Sequence, residues 1–204
     1  MESGRGFTLV ELIVVLTIIG VITVVTLNSQ SSFNKSLILS NTAYDIALTL
    51  RSAETFGINS RAANALPTSS AGYGVHFDTS TEEASRTILL FADTKGDISC
   101  GGQRPDCKPG NHEYDAVGDT LVQTYTLGNG VTVNGLYADG EPVGSLDVVF
   151  ERPNPDAFMS ADGSYSDINP VTAACITITS PQGGTRYITV AASGAIAANA
   201  PSCP

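Results

Sequence analysis

The sequence is poor in charged residues, and basic residues are the scarcer kind. Only 15% of its 204 residues are charged, and ten Lys and Arg against 20 Asp and Glu give a formal net charge of −10. Binding to nucleic acid rests largely on neutralising phosphates with lysine and arginine. The composition therefore makes nucleic acid an unlikely partner.

Sequence motifs of several enzyme classes are also missing. The chain has no Gly-x-Ser-x-Gly, no phosphate-binding Gly-Lys-Ser/Thr loop and no His-Glu-x-x-His. Its only histidines, His76 and His112, are too few for most metal hydrolase sites, and neither stands beside an obvious nucleophile. We therefore predict a protein that is not an enzyme and that has no catalytic residues, no cofactor and no metal site.

One long apolar run lies near the N-terminus. Between Phe7 and Leu27, Glu11 is the only charged residue. A helix over this run would be about 30 Å long, enough to cross the hydrocarbon core of a bilayer. A carboxylate at the bilayer centre costs on the order of 3 kcal/mol. We therefore expect Glu11 to be present for a partner.

The residues Gly6-Phe7-Thr8-Leu9-Val10-Glu11, followed by this apolar run, closely resemble the processing site of type IV prepilins and type II secretion pseudopilins. The resemblance implies that prepilin peptidase cleaves after Gly6 and that Phe7 becomes N-methylated. It also implies that Glu11 faces the N-terminal amine of a neighbouring subunit, a pair that can enter an apolar filament core together. The alternative, a secretory signal peptide, needs a basic n-region and a small-residue cleavage site, and the sequence has neither.

The resemblance implies three parts of the chain: a leader peptide over residues 1–6, a transmembrane and filament-core helix over 7–28, and a globular head over 29–204. It implies single-pass insertion in the cytoplasmic (inner) membrane with the head outside, followed by assembly into a periplasmic or cell-surface filament. The implied partners are other pilin or pseudopilin subunits, membrane lipid, the prepilin peptidase/N-methyltransferase and the inner-membrane assembly platform.

An amphipathic helical pattern follows the apolar run. Apolar residues recur at spacings of four and three, which indicates one buried helical face: Leu39, Ala43, Ile46, Leu50 and Ala53. No proline separates the two patterns. We therefore predict one helix from about Thr8 to Gly57 or Arg61, whose second half, residues 29–60, packs on the head.

The rest of the chain is typical of β-structure. Seven short runs are bounded by Gly, Pro, Asn or Asp: Tyr73–Phe77, Thr87–Phe91, Thr120–Leu127, Val131–Val133, Leu146–Phe150, Cys175–Thr179 and Arg186–Ala191. No helical pattern separates them, and Gly183-Gly184 indicates a hairpin. The prediction is an α+β fold in which the long N-terminal helix packs on a mostly antiparallel β-sheet region, residues 72–204.

This order of elements resembles the heads of the minor pseudopilins called GspH/FimT. The likeness lies in Arg51, Ala53, Glu54 and Ile58 at the end of the helix, in Phe91-Ala92-Asp93, and in Gly194 after a Tyr-Ile-Thr-Val strand. It implies a type IV pilin-like fold and a role as a minor pseudopilin of a type II secretion system or a minor pilin. The alternatives are a major surface pilin with an adhesive role and a DNA-binding minor pilin for uptake, and the net charge weighs against the second.

The four cysteines indicate disulfides, because an export compartment is oxidising. They allow three pairings, and proximity in the sequence favours Cys100 with Cys107 and Cys175 with Cys203. A metal site is the competing interpretation, although the sequence contains no Cys-x-x-Cys.

Two acidic segments are candidates for binding. Several acids lie between Asp93 and Asp119, but an EF-hand would need a glutamate at the twelfth position, where this chain has Arg104. We favour solvated turn acids over a calcium site.

The segment from Arg152 to Pro170 contains three prolines and is predicted to be an exposed loop. It could be either a lateral contact between subunits or a plain connection.

Overall fold

A single helix of 50 residues, α1 (Leu9–Ile58), dominates the N-terminal part of the chain. The structure, a computed structural model, describes residues 6–59, 72–95, 110–153 and 155–203, and only the backbone of residues 28–35. The chain divides into two compact units, Met1–Leu37 and Ile38–Pro204. The helix therefore contributes to both, as the unbroken pattern predicted.

The buried face of α1 is the one that the spacing predicted. Leu39, Ala43, Ile46, Leu50 and Ala53 are each at most 1% exposed. They belong to one hydrophobic core together with apolar side chains from the strands. The second half of the helix thus packs on the β-structure, and the α+β prediction is confirmed.

Ten strands follow among the described residues, and every pairing between them is antiparallel. Sheet A has the order β3-β2-β1-β6-β7, and sheet B has the order β10-β9-β8-β4-β5. The bounds are β1 Gly72–Asp78, β2 Thr87–Asp93, β3 Thr120–Thr126, β4 Thr132–Ala138, β5 Glu141–Val143, β6 Ser145–Phe150, β7 Ala157–Ala161, β8 Ala173–Thr179, β9 Thr185–Ala191 and β10 Ile196–Ala200.

The sequence pattern missed three strands, β5, β7 and β10, and it did not show that the strands form two sheets. All three missed strands lie at a sheet edge. Their sequences carry a weak strand signal, because β5 has only three residues and β7 and β10 contain several alanines, a residue depleted in strands. The prediction of an exposed loop from Arg152 to Pro170 is wrong at its centre. There Ala157, Met159 and Ser160 of β7 are buried.

Both sheets and the helix share the same core. Strand β1 contributes alternate residues, Tyr73, Val75 and Phe77, and strand β8 of the other sheet contributes Ile176 and Ile178. Alternate side chains of a strand point to opposite faces of its sheet. One face of each sheet therefore meets the core.

The other face of sheet A is also covered. Phe91 and Val149, which do not belong to the shared core, are fully buried. The ring of Tyr114 contacts the ring of Phe91 with centroids 5.1 Å apart. Residues 110–119, which we call the cover segment, therefore lie on the outer face of sheet A.

A disulfide ties the end of the chain to sheet B. Cys175 of β8 and Cys203 are bonded, with 28 residues of separation between them. This is one of the two pairings that proximity favoured. The other two cysteines, Cys100 and Cys107, lie outside the described residues.

We predict that Leu50→Ala lowers the free energy of unfolding by about 2 to 5 kcal/mol, because it leaves a cavity in the shared core. Leu48→Ala is the matched control on the same helix, since Leu48 is 64% exposed. It should cost no more than about 0.5 kcal/mol. Denaturant unfolding of the detergent-solubilised chain measures both values. Equal losses would contradict the helix orientation.

We also predict that Cys175→Ala combined with Cys203→Ala lowers the free energy of unfolding by roughly 3 to 4 kcal/mol. Without the bond, the unfolded chain gains the entropy of a loop of about this length. The same denaturant experiment under oxidising conditions gives the value. A loss below about 1 kcal/mol would show that β10 alone holds the C-terminal end in place.

Candidate functional site

The residues of the predicted processing site precede α1 and open the helix. Gly6, Phe7 and Thr8 lie before its first residue, and Phe7 is 82% exposed. The hydroxyl Oγ1 of Thr8 accepts a hydrogen bond from the backbone N–H of Glu11 at 3.3 Å, so Thr8 caps the helix. Glu11 then lies in the first turn, where the helix dipole stabilises a carboxylate.

The first part of α1 exposes apolar side chains on all its faces. The segment Leu9–Leu27 is long and apolar enough to cross a membrane, and none of it is buried. Its threonine hydroxyls are satisfied within the helix, since those of Thr17, Thr23 and Thr26 donate to carbonyl oxygens one turn earlier. Internal satisfaction of hydrogen bonds is what an apolar environment demands. The surface of this segment therefore suits lipid or other apolar helices.

Two carboxylates fix both ends of the cover segment to the end of β2. Asp93 accepts the backbone N–H groups of Asn111 at 3.1 Å and His112 at 2.8 Å. Asp119 accepts those of Thr94 and Lys95, each at 3.0 Å. These contacts link residues that are 18 to 25 positions apart in the sequence.

The environment of Asp93 changes its acidity. Its side chain is buried, and this desolvation, opposed by the amide hydrogen bonds, raises the pKa of Asp93 to about 7. Gly110 allows the close approach, because it has a φ of +110° and an added Cβ would collide with the Asp93 carboxylate. Burial also raises the pKa of Asp119.

The expectation of solvated turn acids is wrong for Asp93, which is only 1% exposed. The local sequence indicated a turn. Backbone N–H groups of the cover segment, which is distant in the sequence, instead donate to the Asp93 carboxylate. Asp115 is likewise engaged, since its carboxylate pairs with Lys95 at 2.5 Å. Among the described residues, no three or more His, Cys, Asp or Glu side chains form a group that could hold a metal ion. Residues 96–109 of the acidic segment are not described.

The first histidine lies beneath the cover segment in a hydrogen-bonded group. The Nδ1 atom of His76 lies 2.6 Å from one carboxylate oxygen of Asp147, and the hydroxyl of Ser160 donates to the other at 3.0 Å. A catalytic triad requires the histidine to accept the proton of the nucleophile. Here serine and histidine instead share the carboxylate, and Ser160 is fully buried. The group is thus a hydrogen-bonded network in which Asp147 and Ser160 are buried and His76 is half-buried.

The second histidine is held between aromatic rings. His112 stacks on Phe158 with centroids 4.3 Å apart and contacts the edge of Tyr165 at 4.5 Å. Its Nε2 atom lies 3.6 Å from a carboxylate oxygen of Glu151. The cover segment is thereby connected to β7 as well as to β2.

The predicted site residues fall into separate places. Gly6, Phe7 and Glu11 lie together at the start of α1, whereas Cys175 and Cys203 join at sheet B. Sequence reasoning missed the roles of Asp93 and Asp119 as anchors of the cover segment. The available signal was an aspartate at each end of one long acidic segment, Asp93 at the end of β2 and Asp119 directly before β3.

Comparison with known protein families gives a match at the N-terminus. Residues 3–27 match the family described as the prokaryotic N-terminal methylation motif. No curated protein and no solved structure matches the chain significantly. The motif supports a type IV pilin-like precursor that prepilin peptidase processes, and it indicates a structural subunit rather than an enzyme.

We predict that stability falls as pH rises through the range that Asp93 titrates. Since the pKa of Asp93 is about 7 in the folded chain against 3.8 for the ordinary group, the folded state holds the proton more tightly. The stabilisation is fully present below the ordinary pKa of 3.8 and is lost as the pH rises through about 7. The loss between roughly pH 5 and pH 8 is about 2 to 3 kcal/mol.

Denaturant unfolding at several pH values, compared between the parent chain and Asp93→Asn, measures this contribution. The variant should show a flatter dependence on pH, whereas the control Glu141→Gln, at an exposed position of β5, should leave the dependence unchanged. Identical slopes in the parent and Asp93→Asn would contradict the assignment.

Proposed function

We propose that this chain is a structural subunit of a type IV pilus-like filament. The more specific proposal is a minor pseudopilin of a type II secretion system, of the GspH/FimT group, or a minor pilin. The observation that carries the proposal is the methylation motif over residues 3–27 together with an apolar helical segment, Leu9–Leu27, that is exposed throughout. The two-sheet head packed on the second half of the helix is consistent with it.

In this proposal the new chain inserts through residues 7–28 with its leader in the cytoplasm. Cleavage after Gly6 frees the amine of Phe7, which then becomes methylated. Assembly transfers the apolar helix from lipid into the filament core, where apolar helices cover one another. Glu11 meets the amine of a neighbouring subunit, and this pairing sets the axial register because either charge alone would be costly there.

Mass spectrometry of filaments sheared from producing cells tests the proposal. A trace peptide that begins with methylated Phe7 supports a minor subunit. If the same peptide dominates the preparation, the chain is a major surface pilin. An intact leader in both membrane and filament fractions would overturn the prepilin interpretation.

We predict that Glu11→Ala still inserts and is still cleaved, but that it enters sheared filaments at least about tenfold less than the parent, because the buried amine of a neighbour loses its counter-charge. Glu11→Asp, which keeps the carboxylate, should retain part of the assembly. Quantitative mass spectrometry of the Phe7 peptide in both fractions gives the ratio. Normal incorporation of Glu11→Ala would refute the register role.

A further inference from the structure

A pocket of about 380 Å³ opens where the edge strand β7 meets the turn between β9 and β10. Its floor is apolar and includes Ala157, Met159 and Val171. The backbone N–H of Ala157 donates to the carbonyl of Ala192 at 2.9 Å and so joins the two walls. Gly194 keeps them close, since it has a φ of +78° and an added Cβ would collide with the carbonyl oxygen of Pro155.

The rim of this pocket is acidic and partly aromatic. Asp156 and Asp167 both line it and are exposed. Tyr165 stands beside them, and burial together with its hydrogen bond to Asp167 raises the pKa of Tyr165 to about 12. Ile168, next to Asp167, is 89% exposed. None of the ion pairs found among the described residues uses either rim aspartate.

An apolar floor beneath two carboxylates and a phenol ring matches a long cationic side chain. Lysine and arginine cover apolar surface with their aliphatic stems and keep the charged head at a polar rim. The aromatic face and both carboxylates would attract that head. We propose that this pocket binds a lysine or arginine side chain of a neighbouring, different filament subunit, a proposal that rests on the proposed function.

The charge pattern of the chain argues for a different subunit rather than a second copy. The basic side chains described in the head are already engaged: Arg51 with Glu54, Arg86 with Glu82, and Lys95 with Asp115. Arg152 and Arg186 also have partners. Two copies of a chain with a net charge of −10 would repel each other, whereas a basic partner would be attracted.

Binding is tested with a small arginine derivative and with its uncharged analogue of the same shape. The full chain in detergent micelles, with labelled methyl groups, is titrated with N-acetyl-arginine methylamide and separately with the citrulline analogue. We expect the methyl signals of Ala157, Met159 and Val171, which line the pocket, to shift with arginine and not with citrulline. Asp156→Asn combined with Asp167→Asn should weaken arginine binding by about tenfold or more.

The control pair Glu83→Gln and Glu141→Gln removes two exposed acids that do not line this pocket, so it should bind arginine as the parent does. The pocket assignment is overturned if arginine shifts none of these methyl signals. It is equally overturned if citrulline matches arginine, or if the Asp156 and Asp167 variant binds as well as the control.

A second measurement tests the role in assembly. In producing cells, Asp156→Lys with Asp167→Lys should reduce the chain in sheared filaments at least about fivefold, with unchanged insertion and cleavage. Glu83→Lys with Glu141→Lys, an equal change of charge, should have no such effect. Equal incorporation of both variants would overturn the subunit contact.

Failure of the proposed function can be distinguished from failure of the pocket assignment. Arginine binding by the purified chain does not depend on processing at Gly6. A chain that keeps its leader in every fraction yet binds arginine would refute the filament subunit and retain the cation pocket. A processed chain that does not bind arginine would refute the cation pocket and retain the filament subunit.

Discussion

The second half of helix α1 supplies the contact on which the head depends. Its buried face, Leu39 to Ala53, shares one hydrophobic core with strands of both sheets. The apolar face of a sheet must be buried against another layer of secondary structure. In this head the helix and the two sheets cover one another, and removing any one of these three would expose the others. Because the same helix carries the exposed apolar segment Leu9–Leu27, the element that organises the head is also the one suited to the membrane and filament core.

Sheet A has a second buried layer that has no counterpart in the sequence pattern. The cover segment packs Tyr114 against Phe91 on the outer face and is anchored by the carboxylates of Asp93 and Asp119. The buried carboxylate of Asp93 and the half-buried carboxylate of Asp119 are tolerated because backbone amides donate to them. The cost of their burial appears in the raised pKa of both groups, so the attachment of this segment is coupled to protonation.

The pocket beside β7 offers a structural explanation for the excess of acidic residues in the chain. Most described basic side chains serve contacts within the head, which leaves rim acids such as Asp156 and Asp167 available to a partner. A filament built from different subunits needs contacts that favour unlike neighbours. Repulsion between like acidic heads, combined with attraction to a basic side chain, provides that selectivity.

Sequence by itself determined the helix, its buried face, the processing motif, the central strands of both sheets and the edge strand β3. Each of these features is visible as a local periodicity or as a short motif. Such patterns can be recognised without knowing which distant residues contact the segment. It did not determine the edge strands β5, β7 and β10, whose existence depends on a neighbour that is already in place. Only the tertiary structure decided that Asp93 is buried rather than solvated, that the strands form two sheets, and that β7 borders a pocket. Each of these depends on contacts between segments far apart in the chain, and no local pattern encodes such contacts.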